Sequence, residues 1–142
     1  MLMKEEPTTD HKFFFYGSLR EGHFNNRMLQ DGSELLGRAI LSGFNLHSLG
    51  SYPCISLADD KKRKVVGEIF TIENLNMINS IDRMELGAGY DRELALVKDE
   101  AGKEHEVIVY TMNSHEDKDS IVEDGDWTRF VNEKNNEKLD RW

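Results

Sequence analysis

The chain has 142 residues and a single cysteine, Cys54, so no disulfide can form within it. That is the usage of a protein kept in a reducing compartment. Basic residues are also in short supply. Lys plus Arg number 18 against 27 for Asp plus Glu, a formal net charge of -9. No basic field exists to displace counterions from a phosphate backbone, which argues against nucleic acid as a partner. Long apolar runs are missing as well. Met1 to Asp10 contains no apolar core of signal-peptide length, and no stretch approaches the length of a membrane helix, so the expectation is a cytoplasmic protein with no membrane partner. The five histidines are scattered without a pair at ligand spacing, so no metal site is expected. Neither a Walker loop nor a dinucleotide fingerprint is present, and no cofactor is expected. There is no internal repeat and no low-complexity segment.

What remains is one domain's length of chain, enough to bury a core without staples. Hydrophobic residues at 38% and charged residues at 32% describe a soluble globular fold with a well-charged surface. Residues 1–11 are polar and read as a flexible lead-in, 12–130 as the folded domain and 131–142 as a polar tail of open role. Apolar anchors, among them Trp127, Phe130 and a terminal Trp142, punctuate the polar stretch after Asn113.

Phe13-Phe14-Phe15-Tyr16 is the most distinctive stretch. It is a short aromatic run bounded by Gly17, and it reads as a buried strand, Lys12–Tyr16. It runs into Tyr16-Gly17-Ser18-Leu19, where a glycine and a small hydroxyl let the backbone bend and leave its N–H groups unpaired. Such a concavity suits an anion, for instance a carboxylate; the competing reading is an ordinary tight turn. Further strands are expected at Leu35–Leu41 (bent at Gly37), Gly43–Leu49, Cys54–Leu57, Val65–Ile72, Tyr90–Lys98 and Glu104–Met112. Ala58–Lys64 is read as a charged hairpin tip, and Asp99 to Gly102 as a second hairpin turn. Leu75, Ile78, Ile81 and Asp82 fall at helical spacing, which predicts an amphipathic helix over Ile72–Glu85, stopped by Gly87 and Gly89. Many short strands around one good helix indicate an α+β fold, a small, mostly antiparallel β-barrel flanked by helices.

Glu85 stands at the end of that helix, four residues after Ile81 and seven after Ile78, on or near its apolar face. Burial and the unfavourable end of the helix dipole both raise a carboxyl pKa there, towards a value useful for a general base. The alternative is a solvated carboxylate at the edge of the face. Asp82 has a local role open to it, pairing with Arg83 or Arg92. Cys54 reads as a small buried hydrophobe.

Taken in order, these pieces resemble the gamma-glutamylcyclotransferase-like family, in particular its gamma-glutamylamine cyclotransferase branch. The family's opening strand and Tyr-Gly-Ser/Thr-Leu loop are matched by Phe15 to Arg20, and its Asn-(His or Asn)-x-x-Leu continuation by Asn25 to Leu29. Gly50-Ser51-Tyr52-Pro53 matches Gly-x-Tyr-Pro, and Val65 to Phe70 match the Val-x-Gly-Glu strand. Ile81 to Glu85 with Tyr90-Asp91-Arg92 match the acidic turn, and Tyr110 with Gly125-Asp126-Trp127 match the close. The Leu86-Gly87-Ala88-Gly89 spacer departs from the family pattern.

The resemblance implies a β-barrel with a cavity at its mouth, Glu85 as catalytic acid/base, and the loop at 16–19 (Tyr16, Gly17, Ser18, Leu19) as the substrate holder. Tyr90 and Tyr110 are candidates to line the cavity, with a core role as the alternative. The implied reaction is intramolecular. The α-amine of a γ-glutamyl group attacks its own γ-carbonyl, giving 5-oxoproline and releasing an amine or amino acid without a cofactor. The partner is then a small γ-glutamyl-amine or γ-glutamyl-peptide. The rival is a non-catalytic small-ligand or peptide-binding protein that keeps barrel and pocket, and a third reading is acyl transfer through Cys54.

Overall fold

The aromatic run becomes β1 (Lys12–Phe15), the seam of a closed barrel in the computed structural model, which describes residues 3–29 and 31–140. In chain order follow a 3-10 turn over Phe24–Leu29, β2 (Ser33–Ser42), β3 (Phe44–Ser48), β4 (Pro53–Leu57), β5 (Lys64–Ile72), α1 (Leu75–Gly87), β6 (Asp91–Asp99), β7 (Glu104–Thr111) and α2 (Trp127–Asp140). Around the barrel the order is β1-β5-β2-β6-β7. Every pairing is antiparallel except the closing one, where Phe13 of β1 lies beside Ile108 of β7 in parallel. The architecture is the expected α+β barrel. Residues 1 and 2 lie outside the described residues, as do 141 and 142, and with them Trp142.

β1 explains its own composition. Successive side chains of a strand face opposite sides, and here both sides are buried. Phe14 and Tyr16 enter one core with Ile69, Val107, Ile55 and Trp127, while Phe13 and Phe15 enter another with Phe70, Ile78, Ile81 and Ile108. Each buried aromatic or aliphatic side chain in these cores contributes roughly 1.5–3 kcal/mol of transfer free energy. Gly67 on β5 makes room for this: a Cβ there would stand 2.7 Å from the Phe15 carbonyl oxygen and would also run into the Phe14 ring.

α1 covers the second core with Ile78 and Ile81. It starts at Leu75 rather than Ile72, because Ile72 still pairs with Ser33 at the end of β5 and Asn74 caps the helix. The Asn74 side chain accepts from the N–H groups of Asn76 (2.9 Å) and Met77 (3.3 Å). The helix runs through Gly87, with Ala88 at its end, and Gly89 takes the left-handed conformation (φ +96°) that turns the chain into β6.

The segment Ala58–Lys64 is not a hairpin tip. β4 pairs with β3 in a separate two-stranded sheet, whereas β5 pairs with β1 and β2, so the segment crosses between sheets. Turn-forming composition marks where a chain bends but not which strands the bend joins. The strand over 35–41 does bend where expected, with its register shifting between Leu35 and Gly37. The stretch 131–140, read as part of a polar tail, is helical as the continuation of α2, which begins at Trp127. Trp127 stacks on Phe130 at 5.3 Å and Val131 joins them against the first core, while residues 132–136 are exposed. At the other end the Met3 N–H donates to the Arg92 carbonyl (2.8 Å) and the Arg92 guanidinium to the Glu5 carbonyl (2.6 Å), tying the lead-in to β6. Among the described residues, no helix is long and apolar enough to cross a membrane.

Candidate active site

The C-terminal ends of β1 and α1 converge on a cavity of about 230 Å³. Tyr16, Gly17, Ser18, Leu19, Glu85, Tyr90 and Tyr110 all line it. All seven candidate residues therefore line one cavity, although they come from four separate parts of the chain. Leu19 drops its side chain into the second core and so pins the loop it ends.

That loop is braced from five directions, each by a motif singled out in the sequence. Asn25 donates from its side chain to Ser18 Oγ (2.8 Å) and from its N–H to the Ser18 carbonyl (3.0 Å). Asn26 donates to the Leu19 carbonyl (2.9 Å). Glu68 of β5 accepts from the Glu21 N–H at 2.7 Å. Arg20, only 2% exposed, pairs with Asp126 at 2.9 Å, and the same Asp126 oxygen caps α2 by accepting from the N–H groups of Thr128 and Arg129. Burial opposes ionisation of Asp126, but the bonds from Arg20 and the helix amides outweigh it and hold the carboxyl below the usual range. The fifth brace is Pro53. A Cβ on Gly17 would lie 2.7 Å from the Pro53 ring, so only glycine lets the loop pack this closely. The bracing consumes loop carbonyls. The N–H groups of Gly17, Ser18 and Leu19 donate to no acceptor among the described residues.

Glu85 lines the same cavity. Its side chain is half-buried, and no hydrogen-bond donor among the described residues reaches its carboxylate. Burial, with the negative charge of Asp82 added, raises its carboxyl from 4.5 to about 7. Asp82 itself pairs with Arg92 (2.6 Å) and accepts from the Tyr110 hydroxyl (2.7 Å), so of its two sequence-level partners it takes Arg92. Arg83 instead donates to the Asn79 carbonyl.

The tyrosine hydroxyls are committed to the framework. Tyr16 donates to the Tyr110 carbonyl (2.6 Å), Tyr90 to the Pro53 carbonyl and Tyr110 to Asp82. Burial holds all three phenols protonated, well above their ordinary range. They shape the cavity and leave Glu85 as its free acid/base group. Cys54 is buried, which pushes its thiol up to about 11. A thiol held protonated is a poor nucleophile, and this counts against acyl transfer through it.

A family model described as gamma-glutamyl cyclotransferase, AIG2-like, matches residues 13–129. The chain belongs to this family. It is 28% identical over 116 residues to the gamma-glutamylcyclotransferase family protein YtfP of Escherichia coli (strain K12), an alignment covering 82% of this chain and 95% of that protein. Two solved structures share the fold. One is an uncharacterized protein, PH0828, from Pyrococcus horikoshii, with a TM-score of 0.68, 21% identity and coverage of 89% of this chain and 97% of that one. The other is an AIG2-like protein from Mus musculus, with a TM-score of 0.66, 22% identity and coverage of 82% and 87%. Membership of this family supports an enzyme of cyclotransferase type.

Sequence reasoning missed part of the cavity's rim. Met84 and Ala88 line it from the end of α1, Tyr52 from the β3–β4 connection and Pro53 from the first position of β4. Ala88 belongs to the spacer in which this chain departs from the family pattern, and Met84 precedes Glu85 in a helix whose apolar periodicity was already visible. Both were therefore within reach of the sequence.

Proposed function

We propose that the protein is a γ-glutamyl cyclotransferase that closes a γ-glutamyl-amine or γ-glutamyl-peptide to 5-oxoproline and releases the amine, with Glu85 as the acid/base. The observation that carries this reading is Glu85 itself. It is a carboxyl raised to about 7 by burial and the charge of Asp82, with no hydrogen-bond donor among the described residues, lining a cavity that also holds Gly17, Ser18 and Leu19, whose N–H groups meet no acceptor among the described residues.

The division of labour follows from charge. The N–H groups of Gly17, Ser18 and Leu19 hold the α-carboxylate of the γ-glutamyl group, which leaves its α-ammonium towards Glu85. The ionised Glu85 takes a proton from that ammonium. The freed amine attacks the γ-carbonyl, the new C–N bond closes the five-membered ring, and the original amide C–N bond breaks. The two protons shed by the attacking nitrogen end on the leaving nitrogen, Glu85 returning the one it took. Folding the substrate so that amine and carbonyl face each other converts positioning into rate, worth several kcal/mol of barrier. A carboxyl near 7 is matched to both halves of the task at neutral pH. A binding protein has no use for so poised a group, and the half-buried, raised Glu85 favours the enzyme over that alternative.

The test is release of 5-oxoproline from a panel of γ-glutamyl-amines and γ-glutamyl-amino acids, wild type beside Glu85→Gln. The expected result is release by the wild type that disappears in the variant while circular dichroism stays unchanged. Surviving activity in the variant would remove Glu85 from its role.

A further inference from the structure

We propose that residues 3–7, which precede the barrel, form a strap that positions Glu85 through Arg92 and Asp82; this rests on the cyclotransferase reading of Glu85. The segment is anchored to the barrel at alternate residues. Met3 packs against the second core and its N–H donates to the Arg92 carbonyl (2.8 Å). The Glu5 carbonyl accepts from the Arg92 guanidinium (2.6 Å), and Pro7 is buried. Lys4, Glu5 and Glu6 are exposed, so backbone bonds and two apolar side chains hold the segment. A turn then delivers it into β1. The Thr8 N–H donates to His11 Nδ1 (2.9 Å) and the His11 N–H to the Thr8 carbonyl (3.2 Å).

Arg92 carries the effect inward. It is 8% exposed, with one terminal nitrogen on Asp82 (2.6 Å) and the other on the Glu5 carbonyl. Its Nε meets no acceptor among the described residues, so the guanidinium's hold rests on those two bonds. A buried cation is costly unless its donors are satisfied, and the strap supplies one of the two acceptors. Asp82 in turn ties three elements together, standing on α1 and accepting from Arg92 of β6 and Tyr110 of β7. This fixes the last turns of α1 against the barrel, and Glu85 follows one turn after Asp82. The loop of Gly17, Ser18 and Leu19 is held separately, by Asn25, Asn26, Glu68 and the Arg20–Asp126 pair. None of these bonds to the strap or to Arg92 among the described residues. The strap therefore governs the placement of Glu85, which acts in the chemical step, and not the loop that binds substrate.

The test removes residues 1–6 and, separately, makes Arg92→Lys, which keeps the charge but loses the planar fork that reaches both acceptors. The two changes are also combined. Kinetics of 5-oxoproline release are measured on variants that circular dichroism shows to be folded. The truncation is expected to lower kcat about tenfold and to leave KM within about twofold of the wild type. Arg92→Lys is expected to do the same, and the combination no more than either alone, because both break one linkage. Should the truncated chain not fold, Met3→Gly with Glu5→Gly loosens the strap without shortening it and carries the same expectation. An unchanged kcat, a loss carried by KM, or losses that multiply in the combination overturn the inference while the cyclotransferase reading stands. No 5-oxoproline from the wild type with any compound of the panel overturns that reading and the strap's role with it.

Discussion

Asp82 and Glu85 stand one turn apart on α1, and the charge of the first adds to the burial of the second in raising the Glu85 carboxyl to about 7. Asp82 is bonded to Arg92 and Tyr110, whereas no donor among the described residues reaches the Glu85 carboxylate. The helix thus carries two carboxyls in different surroundings, one bonded into the framework and one half-buried at the cavity.

This arrangement costs stability at neutral pH. In the unfolded chain Glu85 ionises near 4.5, in the folded one near 7, so between these values the folded protein binds more protons and loses stability as pH rises. The separation corresponds to about 3 kcal/mol at pH 8 and to almost nothing at pH 4. Glu85→Gln is therefore expected to be more stable than the wild type at pH 8 and about equal to it at pH 4. Urea denaturation at the two pH values checks this. A variant equally or less stable at pH 8 would show that Glu85 is not held in the protonation state described.

In the proposed reaction the rate of cyclisation follows the same titration in the opposite sense. There the base form of Glu85 accepts the ammonium proton, so kcat/KM is expected to rise with pH through an acid limb near 7 and to fall about tenfold per pH unit well below it. Initial rates of 5-oxoproline release between pH 5 and 9 give the limb directly. An acid limb near 4.5 would mean that burial and Asp82 do not act on Glu85 during turnover.

Gly17 packs against Pro53 with no room for a Cβ, which would lie 2.7 Å from the proline ring. A methyl group at Gly17 must displace the Pro53 ring, and overpacking of this kind costs about 1–3 kcal/mol. Gly17→Ala is expected to lose that stability and to raise KM, because the loop amides and the Pro53 carbonyl that receives Tyr90 shift together. Adding Pro53→Ala removes the obstructing ring and is expected to restore part of both. A double-mutant cycle measured by thermal unfolding and by kinetics gives the coupling, and strictly additive effects would show that the two residues do not press on each other.

Much of this protein was legible locally. β1 announced itself because three phenylalanines in a row satisfy a strand buried on both faces, and α1 because Ile78 and Ile81 repeat at helical spacing ahead of Gly87 and Gly89, whereas its start at the Asn74 cap came from the structure. The placement of Glu85 near the apolar face followed from the same spacing. Less was legible where the signal was composition alone. The charged Ala58–Lys64 segment looked like a hairpin because a polar turn between two apolar strands is what hairpins have, yet its strands belong to different sheets. The helical continuation of α2 was hidden because, beyond Phe130 and Val131, its described residues face water and carry no apolar stripe to read.

The sequence by itself determined the elements, the short aromatic strand, the capped helix, the loop of small residues, and the order of motifs that marks the family. These depend on residues within a few positions of each other, where spacing and backbone preference suffice. Only the tertiary structure decided what the motifs are for. Asn25, Asn26, Glu68, Pro53 and Asp126 all converge on one loop. Asp82 chooses Arg92 over Arg83, and the three tyrosine hydroxyls turn to the framework and leave Glu85 alone. Those are contacts between residues up to about a hundred positions apart, set by barrel closure and burial, and burial is what gives a carboxyl its pKa.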